Sequence, residues 1–237
     1  AGIRNQLLTL ITVFTTEEKG VGARLHADEA EAFQRCIYVC QDEAVCVELM
    51  EYLVQLMAAV PVDAAVPKED SSNPSVVSVL LAGGGATPWL PLLWHQSRAI
   101  RTWAFKIVAH LVVHALARAG NNNISSEGTG ATTAAATVEG WLTEVGVALS
   151  RRPLRRATFH TLTEMLLGRP TAACAQASPL ACGREHHIRF PAVLRVVFRL
   201  LPLAAPPLQQ AVLQDLAFLV RQYPRNRAVL LALDSWH

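Results

Sequence analysis

Apolar residues recur every three or four positions along most of this chain, and proline or glycine interrupts the pattern at short intervals. That spacing is the period of an amphipathic helix. It predicts a first helix from Ile3 to about Glu18, with Leu7, Leu8, Ile11 and Phe14 on one face and Gly20 and Gly22 ending it. A second helix follows from a cap at Asp28, with Phe33, Cys36, Ile37 and Cys40 in register. Asp42 is placed to cap a third, in which Val45, Leu49, Tyr52, Leu53 and Leu56 repeat as far as Pro61.

The middle of the chain continues in the same way. Asn73-Pro74 opens a short valine- and leucine-rich helix that stops at Gly83-Gly84-Gly85, and Thr87-Pro88 opens another through Trp89 and Trp94. Ser97 caps the longest pattern, from Ile100 and Trp103 to Leu116, with Gly120 expected just past its end. Thr137 is expected to cap a helix through Leu149, and Pro153 to start the next, with Phe159, Leu162 and Met165 turned inward. Three proline-separated patterns close the chain at 190–201, 206–223 and 225–236. Two stretches break the rhythm. Residues 120–136 are rich in Gly, Asn, Ser, Thr and Ala, and 169–187 are irregular; both are expected to be mobile insertions.

About ten helices joined by short turns, with no convincing strand, predict an all-α fold of the armadillo/HEAT kind, a right-handed α-solenoid forming one domain over 1–237. The valines at 193–197 have strand propensity, but their spacing from the nearby Leu and Arg favours helix. Composition supports this picture: 51% of residues are hydrophobic and 17% charged, as expected where helices are covered on several sides. The net charge of +2 argues against a nucleic-acid-binding domain, and no aromatics are interleaved with the basic residues. The first residues lack a signal-peptide pattern, and no charge-free apolar run reaches about 18 residues, so no membrane span is predicted. Five unevenly spaced cysteines predict reduced thiols and a cytoplasmic setting.

Candidate chemistry is sparse. His110 and His114 lie four apart, a spacing that can place two imidazoles on one metal, but no HExxH glutamate or third ligand accompanies them. Cys36 and Cys40 sit on an apolar helical face, where free Cys packs as a small hydrophobe. The glycine run lacks the pattern of a phosphate loop. No catalytic, cofactor or metal site is therefore expected. The densest basic cluster, Arg151, Arg152, Arg155 and Arg156, is read as a solvated helix junction, with contact to an acidic partner or lipid headgroup as the functional alternative. Asn226 and Arg227 are read as structural, Asn satisfying backbone groups near a helix start and Arg bracing the preceding turn. Trp236 is expected to pack its ring against a following helix.

Several of these helices carry a resemblance. IRNQLLTLITVF (3–14), VCVELMEYLVQLM (45–57), IRTWAFKIVAHLVVH (100–114), TFHTLTEMLL (158–167), RFPAVLRVVFRLL (189–201) and LQDLAFLVRQYPRNRAVLLALDSW (213–236) occur in the order seen in neurobeachin-type BEACH proteins. Asn226-Arg227 followed nine residues later by Trp236 is the most specific part. The chain resembles the armadillo-like segment that precedes the PH-like, BEACH and propeller modules of that family. The resemblance implies a fragment of a larger polypeptide, and a non-enzymatic scaffold that binds other proteins through helical surfaces during vesicle traffic. Peripheral association with intracellular membranes would come through the full-length protein. An unrelated armadillo- or HEAT-type adaptor in transport or the cytoskeleton is the alternative reading of the same helices.

Overall fold

The computed structural model describes residues 27–62, 75–122, 130–172 and 186–232. The expected first helix at 3–18, the Asn73-Pro74 start, Cys174, Cys182 and Trp236 lie outside them. Every regular element among the described residues is helical. The α-helices are α1 (Ala27–Val39), α2 (Glu43–Ala58), α3 (Val76–Ala82), α4 (Arg98–Asn122), α5 (Gly130–Ser150), α6 (Arg156–Leu167), α7 (Ala192–Leu200), α8 (Pro206–Gln222) and α9 (Pro224–Leu231). Short 3₁₀ segments at Thr87–Trp94 and Leu201–Leu203 complete the succession.

The packing is organised by α4. It touches α2, α3, the first 3₁₀ segment, α5 and α6. Apolar or small side chains cover its whole circumference from Trp103 to Val113, apart from Lys106 and His110, and all of these are buried. A helix apolar on every side has to be surrounded. The span Arg98–Gly120 is long and apolar enough to cross a membrane by length and composition, although Arg98, Arg101, Lys106 and Arg118 leave no charge-free run of that length in it. Its most apolar window is 72% buried by its neighbours, so packing already accounts for that apolarity. On the far side α5 packs on α7, α6 on α7, and α8 on α9.

The punctuation explains most boundaries. Asp42 Oδ1 accepts from the backbone N–H groups of Ala44 and Val45 at 2.9 and 3.3 Å, closing the start of α2. Ser75 Oγ accepts from the Ser78 N–H, and Ser97 Oγ from the Ile100 N–H, at the starts of α3 and α4. Proline occupies the first turn of α8 and α9, where its missing N–H costs nothing. Gly168 ends α6 in the left-handed region at φ 67°, and the Arg169 N–H reaches back to the Glu164 carbonyl. Gly85 is needed twice over. Its φ is +61°, and an added Cβ would meet the Trp141 ring at 2.3 Å. The indole of Trp141 lies over that turn and donates to Thr87 Oγ1 at 2.9 Å.

Several boundaries differ from the sequence reading. Helix α1 begins at Ala27, so Asp28 lies in its first turn rather than before it. The longest helix runs through Gly120 to Asn122, and α5 begins at Gly130, seven residues before Thr137. The low-complexity stretch is therefore helical at both ends; its alanines and threonines tolerate helix where α5 already has a packed body to extend from. Pro153 lies in the connection and α6 starts at Arg156. A proline biases the residue before it away from helix, and here the chain stays extended through the Arg155 cap, at φ −132° and ψ 163°.

The edges of the second irregular stretch are built into the core. Buried Lys106 on α4 donates to Glu164 Oε2 on α6 at 2.6 Å, and to the Thr171 carbonyl at 3.3 Å. The Thr171 hydroxyl donates to Glu164 Oε1 at 2.7 Å. On the other edge, Asn226 Oδ1 accepts from the Ile188 N–H at 2.8 Å. Its Nδ2 donates to the carbonyls of His186 and Leu219 at 2.8 and 3.0 Å. The amide thus holds the incoming strand of chain, α8 and α9 together. Arg227 is exposed and makes no such brace.

Candidate arginine basin

Four arginines converge where the start of α4 meets the α5–α6 connection. Arg98 and Arg101 come from the first turn of α4, and Arg152 and Arg155 from the connection. Together they line a recess of about 420 Å³. Phe105, Leu93, Leu149 and Leu154 give it apolar walls, and Lys106 and His160 border it more deeply. None of its described lining residues is acidic.

The arrangement concentrates positive charge at the start of a helix. The helix dipole places positive potential at the start of α4, where acidic residues are the stabilising choice. The first turn of α4 contains none and carries two arginines instead. The Arg101 guanidinium is held below its ordinary pKa by burial first, then by the charges of Arg152, Arg98 and Arg155. Arg101 is fixed in place by donating to the carbonyls of His95 and Gln96, each at 2.6 Å. Nearby acids are committed elsewhere: Glu43 accepts from the Ser97 hydroxyl at 2.5 Å, and Glu164 holds Lys106. A planar guanidinium offers a fork that matches carboxylate or phosphate oxygens, so four in one recess suit a multiply charged oxyanion.

The cluster seen in sequence is divided by the fold. Arg152 and Arg155 face the recess. Arg151 lies over the half-exposed Trp94 ring, 5.4 Å from its centroid. Arg156 donates from Nε to His160 Nε2 at 3.1 Å and lies 3.9 Å from Asp215 Oδ2 on α8. Sequence reading missed Arg98 and Arg101. The signal available was SRAIR at the start of a long helix, with basic residues where acidic ones belong.

Other candidates resolve differently. Cys46 is buried and its thiol is pushed up to about 11, by burial first, then by Cys40 and Glu43, which disfavours the reactive thiolate. Among the described residues no group of three His, Cys, Asp or Glu is placed to hold a metal ion. His110 and His114 are both buried, and they border a separate cavity. Trp89 is buried in the core beneath the 3₁₀ segment.

A family model described as the Neurobeachin/BDCP, DUF4704 alpha solenoid region matches residues 1–237. The chain belongs to this family. Membership agrees with the order of helices seen in the sequence and sets aside an unrelated armadillo or HEAT adaptor. The fold is an α-solenoid region of the neurobeachin type, and the arginine basin is a feature of this solenoid's α4–α6 face. No curated protein and no solved structure matches the chain significantly.

Proposed function

We propose that this neurobeachin-type solenoid is a non-enzymatic scaffold segment of a BEACH-family protein, working at the cytoplasmic face of membranes in vesicle traffic. Its helical surfaces bind other proteins, and the arginine basin contacts acidic lipid headgroups. The observation that carries the headgroup contact is the convergence of Arg98, Arg101, Arg152 and Arg155 on a recess whose described lining includes no acid. Family membership supports the scaffold role, since a solenoid works by offering extended surface. A basic surface near an anionic leaflet gains on the order of 1 kcal/mol for each engaged Lys or Arg. Four such residues give weak, reversible attachment, suited to a scaffold that also holds protein partners.

Vesicle sedimentation tests this reading. The expected outcome is binding to vesicles containing phosphatidylserine and phosphoinositide, none to pure phosphatidylcholine, and loss of binding in Arg152→Glu/Arg155→Glu. Equal sedimentation with both vesicle types, or no effect of the charge reversal, contradicts it. Binding of a soluble acidic peptide with no binding to vesicles would reassign the basin to a protein partner.

A further inference from the structure

Beside the arginine basin, the 3₁₀ segment Thr87–Trp94 carries an apolar ridge. A 3₁₀ helix has three residues per turn, so side chains three apart eclipse one another. Trp89, Leu90, Leu92 and Leu93 are buried in the core. Pro88, Pro91 and Trp94, spaced three apart, form the remaining row, with Pro88 half-buried and the other two exposed. The row carries no charge. Tyr38, at the end of α1, donates its hydroxyl to the Pro88 carbonyl and is itself 46% exposed. Trp94 stays 41% exposed although Arg151 lies over its ring.

The ridge and the basin are tied together. Leu93 lines the basin, and Trp94 is the next residue. Arg101, a basin arginine, donates to the carbonyls of His95 and Gln96, fixing the turn that follows Trp94. Arg151, packed on the Trp94 ring, is followed by Arg152, which also lines the basin. An uncharged aromatic ridge therefore borders a cationic recess with no acid among its described lining residues. That pairing matches the two zones at the edge of an anionic bilayer. Indole rings settle at the boundary between headgroups and acyl chains, and guanidinium groups meet the phosphates just outside it. An acidic peptide would use the arginines but has no need of the ridge.

We propose that Trp94, with Pro91 and Tyr38 beside it, inserts into the headgroup–acyl boundary of an anionic membrane while the basin arginines hold its phosphates. Resting on the headgroup reading of the basin, this adds the element that enters the bilayer and sets the solenoid's orientation, with the 3₁₀ segment facing the membrane.

Sedimentation with vesicles containing phosphatidylserine and phosphoinositide tests the proposal, together with fluorescence quenching by lipids brominated high in the acyl chain. Phe218 is the control: it is also 41% exposed, but lines a different recess on α8. Trp94→Ala should weaken binding about fivefold or more with every arginine intact, and Phe218→Ala should leave it within about twofold. Bound to brominated vesicles, the unaltered chain should lose tryptophan emission. Trp94→Phe should abolish most of that quenching, since Trp89 and Trp103 are buried. Trp94→Phe keeps a ring beneath Arg151, so this readout does not depend on how Trp94→Ala folds. Binding that needs Arg152 and Arg155 but ignores Trp94→Ala overturns the insertion and leaves the basin reading standing. Quenching that persists in Trp94→Phe does the same, as does equal weakening by Phe218→Ala. Absence of any binding to anionic vesicles overturns both.

Discussion

The two recesses along α4 differ in how they are built. The arginines of the basin are exposed or half-exposed, drawn from two short sequence stretches, 98–101 and 152–155. The histidine cavity is assembled from α2, α4, α6, the chain at 187–189 and α9, and its central groups are buried. Between them stands the Lys106–Glu164 pair, with Lys106 bordering the basin and its second acceptor, the Thr171 carbonyl, near His110. One helix thus carries charge that costs little, because water screens it, and polar groups that cost much, because water is excluded. Exposed charge can change with little loss of stability; enclosed polar groups cannot.

The dividing wall should show the largest effect. Glu164→Ala leaves Lys106 buried without its carboxylate, and is expected to cost about 3–5 kcal/mol. Adding Lys106→Met should recover much of that loss, because both charges are then gone. Denaturant unfolding of the two variants measures this; a double variant less stable than the single would contradict the account. Asn226→Leu comes next. It removes three buried hydrogen bonds and strands the Ile188 N–H, for an expected loss of about 2–3 kcal/mol. Vesicle binding through the basin should survive it, so parallel loss of both would show that the two recesses are not separate.

Acid sharpens the contrast further. His110 and His114 have folded pKa values lowered from 6.5 to about 3 and about 4, so between those values and 6.5 the unfolded chain binds more protons. Stability is therefore fullest above about pH 6.5 and falls as pH drops through about 4. Replacing both histidines with Leu should flatten that part of a thermal-melting profile. An unchanged acid profile in the double variant would place the sensitivity elsewhere. A surface pair should respond least. Arg195 and Glu139 meet at 2.5 Å between α7 and α5 but are more than half exposed, and Arg195→Ala should change stability by no more than about 0.5 kcal/mol.

The same contrast sets what the sequence made legible. Helical rhythm, the Asp42 and Ser97 caps and the proline starts of α8 and α9 are local, and each could be read from a few neighbouring residues. The basin was half legible. Arg152 and Arg155 stood out as a charge run, but nothing local shows that Arg151 turns to Trp94 or Arg156 to Asp215. Arg98 and Arg101 join them only through the packing of α4 against the α5–α6 connection. The Lys106–Glu164 pair spans 58 positions and the Asn226 clamp 38 to 40, so neither leaves a spacing signal. The early start of α5 was hidden because its composition resembles a loop while its alanines accept helix.

The most direct test of the central claim holds charge constant and changes only position. Arg152→Ala/Arg155→Ala and Arg151→Ala/Arg156→Ala each remove two positive charges from the same six-residue stretch. In vesicle sedimentation on phosphoinositide-containing membranes, the first variant should lose at least tenfold in binding, and the second should stay within about twofold of the unaltered chain. Equal loss in both would mean that net charge, and not the converging basin, governs the contact.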